Sequence, residues 1–141
     1  CYSKIGNPFD KKIFKITGNS EYGYEYILNC LCNSSNYKVW KSKNESNSYI
    51  QIDFLNKFFS FKAIEVDSNV IMRNFCIEGS NTGSDWKIVG NWSNQYTNFI
   101  AQSTNYRDDY YRFLRLKMKG QNSSNNYCLC IIKFELYGIL K

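Results

Sequence analysis

A chain of 141 residues with 43% hydrophobic and 18% aromatic content has the size and apolar substance of one folded domain, so residues 1–141 are read as a single domain. Eighteen Lys and Arg against 12 Asp and Glu leave a net charge of +6, and the absence of histidine excludes imidazole-based triads, Cys–His dyads and His-ligated metals in cis. No apolar run approaches the roughly 18–20 residues that cross a bilayer as a helix.

The chain opens Cys1-Tyr2-Ser3-Lys4, with neither Met nor an apolar leader, and is expected to be a piece of a larger polypeptide. Tyr22, Tyr24 and Tyr26 follow at a spacing of two, which suits either stacking on a sugar or partner surface or one buried strand face. Asn- and Ser-rich stretches at Asn33–Asn36 and Asn44–Ser48 read as loops. Between and after them, period-two alternation predicts strands: Ile50, Ile52 and Phe54 on one inward face, then Ile64 and Val66 on another. Phe75 and Ile77 point inward on the next strand, and the turn-rich Gly79–Asp85 leads into Trp86-Lys87-Ile88-Val89 as a hairpin.

Leu114, Leu116 and Met118 form a further inward face, with Arg115 and Lys117 toward water. A loop at Gln121–Asn126 precedes a last strand from Cys128 to Gly138, in which Cys128, Cys130, Ile132, Phe134 and Leu136 share an inward face. No amphipathic helix and no internal repeat is visible. The fold class is all-β, an antiparallel sandwich or jelly roll.

Candidate chemistry is sparse. Cys30-x-Cys32 and Cys128-x-Cys130 have the wrong spacing for a zinc knuckle, whose paired ligands have two to four residues between them on turns, so no metal is expected and the thiols are read as free core residues. Asp108 and Asp109 are adjacent acids, which point apart on a strand or sit solvated in a turn, so they do not form a glycosidase pair. The glycines of Gly79–Gly83 lack the Lys-Ser/Thr of a phosphate cradle. Arg115, Lys117 and Lys119 lack the interleaved aromatics that stack bases, and nucleic acid is not an expected partner. Asn33, Asn44, Asn91 and Asn122 head glycosylation patterns that a chain so rich in Asn and Ser meets by chance. No enzyme activity and no cofactor are expected.

Five blocks in order carry a resemblance: Trp40 with Ser42; Tyr49-Ile50-Gln51-Ile52-Asp53-Phe54; Phe75-Cys76-Ile77-Glu78-Gly79-Ser80-Asn81 with Trp86; Tyr111-Arg112-Phe113-Leu114-Arg115-Leu116; and Ile132-Lys133-Phe134-Glu135-Leu136-Tyr137-Gly138. Together they resemble the discoidin, or coagulation factor 5/8 type C, domain, and among its members the Asn-rich intracellular versions of protists. The resemblance implies a galactose-binding-like fold, a jelly roll of about eight strands, whose members bind glycans, lipid head groups or proteins on loops at one end.

Placed by that resemblance, the loops are Glu21–Tyr26, Lys43–Asn47 and Ser68–Asn74, and the implied ligand-binding residues are Glu21, Tyr22, Tyr24, Asn44, Asn47, Arg73 and Asn74. Arg73 and Asn74 are of the types that grip hydroxyls, carboxylates or phosphates. The chain departs from the secreted pattern: Cys1 has no partner cysteine near Lys141, and Leu28-Asn29-Cys30 stands where relatives carry Leu-Asp-Gly.

The expected function is a non-catalytic binding module that recognises a glycan, a lipid head group or a protein through end loops. The alternative is a structural component of an intracellular assembly, such as a cytoskeletal or ciliary scaffold, that uses its sheet faces. The reduced-looking thiols favour an intracellular location, with an extracellular or cell-surface one as the alternative.

Overall fold

The computed structural model describes residues 14–19, 39–103 and 109–141. Nine strands lie among them: β1 (Lys15–Gly18), β2 (Trp40–Lys41), β3 (Tyr49–Asp53), β4 (Phe59–Ser68), β5 (Phe75–Ser80), β6 (Lys87–Trp92), β7 (Phe99–Ser103), β8 (Phe113–Met118) and β9 (Cys130–Leu140). They form a five-stranded sheet, β1-β3-β8-β5-β6, and a four-stranded sheet, β2-β9-β4-β7, with every pairing antiparallel.

The alternation read from the sequence explains why the two sheets close on each other. Ile50, Ile52, Leu114, Leu116, Met118, Phe75 and Ile77 are buried on the five-stranded sheet. Ile64, Val66, Ile100, Ile131 and Phe134 are buried on the four-stranded sheet, with Trp40, the largest fully buried side chain, beside them. Phe75 stacks on Trp92 with ring centres 5.0 Å apart, and the Trp92 indole donates to Gln102, which joins β6 of one sheet to β7 of the other. The hairpin expected at Gly79–Asp85 is present, with β5 and β6 flanking it.

The last strand corrects its sequence reading. β9 runs from Cys130, and its pairing with β4 steps from Asp67↔Lys133 to Ser68↔Ile131, so Ile132 is an extra residue in a bulge. The alternation therefore inverts at Ile132. Leu129 and Ile131 join Phe134 in the core, Ile132 is half-buried, and Cys128 and Cys130 are buried off that face. Cys76 is a buried free thiol, and burial, followed by the nearby Glu78 charge, pushes its pKa up, which keeps it protonated and unreactive. Cys1, Cys30 and Cys32 lie outside the described residues.

Arg115 and Lys117 do leave the core side of β8, but they are not free in water. Glu78, on the neighbouring β5, is buried and accepts from Arg115 Nε at 2.5 Å and Lys117 Nζ at 2.9 Å. The Arg115 guanidinium lies 3.9 Å over the Trp86 ring. This cluster seals the outer face of the five-stranded sheet.

Burial raises the Glu78 pKa, yet the hydrogen bonds from Lys117 and Arg115 outweigh it, and the net shift is below the ordinary 4.5. A depressed carboxylate stabilises the fold fully above its unfolded pKa, and that contribution is lost as pH falls through the folded value. Glu78→Ala, which strands two cations, is expected to cost about 3 kcal/mol in urea unfolding at pH 7. Below pH 4.5 the gap between wild type and variant should narrow.

Candidate functional site

Antiparallel order carries the ends of β1, β4, β6 and β8 and the starts of β3, β5, β7 and β9 to one end of the sandwich. The loops 43–48, 69–74, 93–98 and 119–129 therefore share that rim. Their backbones have left the sheets, and Asn and Ser side chains supply the hydrogen bonds that the ladders no longer provide.

Asn19, just past β1, receives the Lys43 N–H on its carbonyl at 2.6 Å and the Tyr49 N–H on Oδ1 at 2.9 Å, and its amide donates to Ser48 Oγ at 3.1 Å and Glu45 Oε2 at 3.4 Å. Ser48 Oγ lies 2.8 Å and 2.7 Å from the carbonyls of Lys43 and Glu45, which closes the 43–48 turn on itself. Asn47 takes φ of 62°, a left-handed conformation that Asn tolerates better than most side chains.

Loop 119–129 is organised by Asn122, which is fully buried. Its amide donates to Asn126 Oδ1 at 2.7 Å and to the Cys128 carbonyl at 2.9 Å, and its Oδ1 accepts the N–H groups of Ser124 at 2.9 Å and Asn126 at 3.3 Å. Burial also removes Asn122 from the glycosylation patterns that a modifying enzyme can reach on the folded domain. Ser42 Oγ accepts the Leu129 N–H at 2.9 Å across 87 residues of sequence.

Loop 69–74 is stitched to both neighbours. Ile71 N–H donates to Ser123 Oγ at 3.0 Å and Ser123 N–H to the Ile71 carbonyl at 3.0 Å. The Arg73 carbonyl accepts Gln95 N–H and the Asn74 carbonyl accepts Lys119 N–H, both at 2.9 Å, while Asn74 Oδ1 accepts Asn94 N–H at 3.1 Å. Arg73 thus sits at the junction of three loops. Its side chain is exposed and makes no hydrogen bond or ion pair among the described residues.

Of the residues implied by the resemblance, Asn44, Asn47, Arg73 and Asn74 lie on this rim. Asn44 has its Oδ1 engaged by the Tyr127 N–H at 2.9 Å, which leaves its amide outward. Glu21, Tyr22 and Tyr24, with Tyr26, lie outside the described residues, although β1 ends at the same rim. Tyr96 was not singled out by the sequence reading, yet it is 85% exposed on loop 93–98, whose Gln95 bonds to Arg73. Its signal is a lone aromatic in the polar run Ser93-Asn94-Gln95-Tyr96-Thr97-Asn98, where nothing apolar is available to bury it.

The other candidate chemistry lies elsewhere. Asp109 is exposed and accepts from Tyr111 Oη at 3.4 Å, while Asp108 is outside the described residues. Glu65 and Glu135 face each other across β4 and β9 and share Lys133, 2.7 Å from Glu65 and 3.7 Å from Glu135. No group of three or more potential metal ligands occurs among the described residues.

Two antiparallel sheets closed on one core form a β-sandwich, and its likeness to solved structures is to the galactose-binding-like, discoidin-like fold. No family model matches the sequence, and no curated protein matches it. Solved structures share the fold at low identity. A family 32 carbohydrate-binding module of the Clostridium perfringens family 89 protein superposes with a TM-score of 0.71 at 17% identity, covering 94% of this chain and 99% of that one. Chitosan-binding module 1 of a Paenibacillus sp. IK-5 chitosanase/glucanase does so with a TM-score of 0.70 at 15% identity, over 89% and 96% of the two chains. Another module of the C. perfringens family 89 protein, in complex with GalNAc-beta-1,3-galactose, has a TM-score of 0.63 at 12% identity over 88% and 94%.

Asn122→Ala removes four hydrogen bonds from inside loop 119–129. The expected cost is about 1–3 kcal/mol of stability, with faster hydrogen exchange at the amides of Ser124 and Asn126 by NMR.

Proposed function

We propose that this chain is a non-catalytic carbohydrate-binding module, carried within a larger polypeptide, that holds a glycan on the rim formed by loops 43–48, 69–74, 93–98 and 119–129. One observation carries the reading: on a sandwich that several carbohydrate-binding modules share nearly end to end, this rim carries Arg73, whose side chain makes no hydrogen bond or ion pair among the described residues, and an exposed tyrosine on the adjoining loop. A sugar ring offers an apolar C–H face and a set of hydroxyls. Tyr96 supplies a flat surface for the first, and Arg73 with the amides of Asn74, Asn44 and Asn47 supplies donors for the second.

The low identity of the solved relatives leaves the sugar to be found by screening. A glycan array followed by calorimetry on the best ligand is the direct test. Arg73→Ala and Tyr96→Ala are each expected to weaken binding about tenfold or more, about 1.4 kcal/mol per decade, with unchanged melting because neither side chain is buried. Failure of every glycan to bind overturns the proposal.

A second reading is a structural role in a protein assembly through a sheet face. It is favoured by Tyr137 and Ile139, which are 41% and 49% exposed and share the outward side of β9 on the four-stranded sheet. Co-purification with a fixed complex that is lost in Ile139→Lys supports it, and retention of the complex in that variant counts against it.

A further inference from the structure

Among the described residues, ion pairs form along the strands and at their ends, and none forms on the rim loops. On the strands, carboxylates and cations neutralise each other: Asp53 with Arg112 at 3.0 Å, Glu78 with Arg115 and Lys117, and Glu65 and Glu135 with Lys133. On the rim, loops 43–48, 69–74, 93–98 and 119–129 carry Lys43, Arg73 and Lys119 against a single carboxylate, Glu45. Glu45 is exposed and turned to the Asn19 amide. Lys119 Nζ donates to the neutral Asn91 Oδ1 at 3.1 Å, so its charge stays uncompensated. Arg73, at the junction of three loops, has no anion paired with it among the described residues.

We infer that the rim selects an acidic glycan, one whose carboxylate or sulfate pairs with the Arg73 guanidinium while an adjoining ring lies on Tyr96. The inference rests on the glycan-binding reading above and adds the class of sugar.

Three physical arguments support it. A planar guanidinium with no partner among the described residues is matched in shape and charge by an oxyanion, which accepts two parallel N–H bonds, whereas a hydroxyl uses only part of the fork. The backbone of Arg73 and Asn74 is held by bonds to Gln95, Lys119 and Asn94, so the fork projects from an ordered base and less entropy is lost on binding. Lys43 and Lys119 add positive potential at the same end, where Glu45 is the one carboxylate on the described rim loops, which favours approach of an anion and disfavours a cationic sugar.

The test is calorimetric titration of the full chain with matched oligosaccharides of three kinds, uronate-containing, sulfated and neutral, at 50 and 300 mM NaCl. A DNA oligonucleotide of equal charge serves as the control for non-specific polyanion binding. The expected result is at least tenfold tighter binding of a carboxylated or a sulfated sugar than of its neutral analogue, weakened several-fold by the higher salt. Comparison of the two acidic arms tells which oxyanion fits. Arg73→Gln, which keeps an amide but removes the charge, is expected to abolish the preference, bringing the acidic sugar to the affinity of its neutral analogue. Lys87→Gln, an exposed charge at the other end of β6, should leave the preference intact.

Equal affinity for neutral and acidic sugars overturns the inference and leaves the glycan-binding reading standing. Binding of the oligonucleotide as tight as that of the acidic sugar also overturns it. Absence of binding to all three sugars overturns both.

Discussion

The structure depends on one constraint: two sheets, each apolar on one face only, must press those faces together. Trp40, Phe75, Phe134 and the aliphatic side chains from both sheets meet in a single core, and burial of that apolar surface is the main favourable term in folding. Once the faces are committed inward, the connections have nowhere to run except across the two ends. The gathering of four loops at one rim is a consequence of core formation, and the site inherits its position from it.

That arrangement creates a second problem, because backbone groups leaving the ladders at the rim still need partners. Ser42, Ser48 and Asn122 are fully buried polar residues that meet this need, and Asn19, Asn44 and Asn74 do the same nearer the surface. The richness in Asn and Ser thus has a structural use beyond making loops hydrophilic. Asn also occupies left-handed positions, at Asn47, Asn94 and Asn125, where other chains use glycine. A rim built of side-chain hydrogen bonds is ordered enough to present Arg73 and Tyr96 from fixed backbone positions.

Charge follows the same division. Strand neighbours place acids and bases opposite one another, so the ion pairs of the sheets form within the fold and stabilise it. Loop residues have no such imposed neighbour, and Lys43, Arg73 and Lys119 on the rim form no ion pair among the described residues.

Alternation alone was sufficient to read the inward faces of Ile50, Ile52, Ile64, Val66, Leu114, Leu116 and Met118, because a strand turns successive side chains to opposite sides without help from the rest of the molecule. The ordered blocks from Trp40 to Gly138 were likewise sufficient to name the type of sandwich and to direct attention to Arg73 and Asn74. Tertiary structure alone decided the bulge at Ile132, which depends on the register of β4. It alone decided the burial of Glu78 beneath two cations from another strand, and the closure of the rim by contacts such as Ser42 with Leu129 and Asn44 with Tyr127, 87 and 83 residues apart. Tyr96 belongs to the same group, since only the fold brings its loop, through the bond from Gln95 to the Arg73 carbonyl, to the rim that carries Arg73. Periodicity is a property of neighbouring residues and is written locally; partnership between distant residues is not, because it exists only after the sheets have closed.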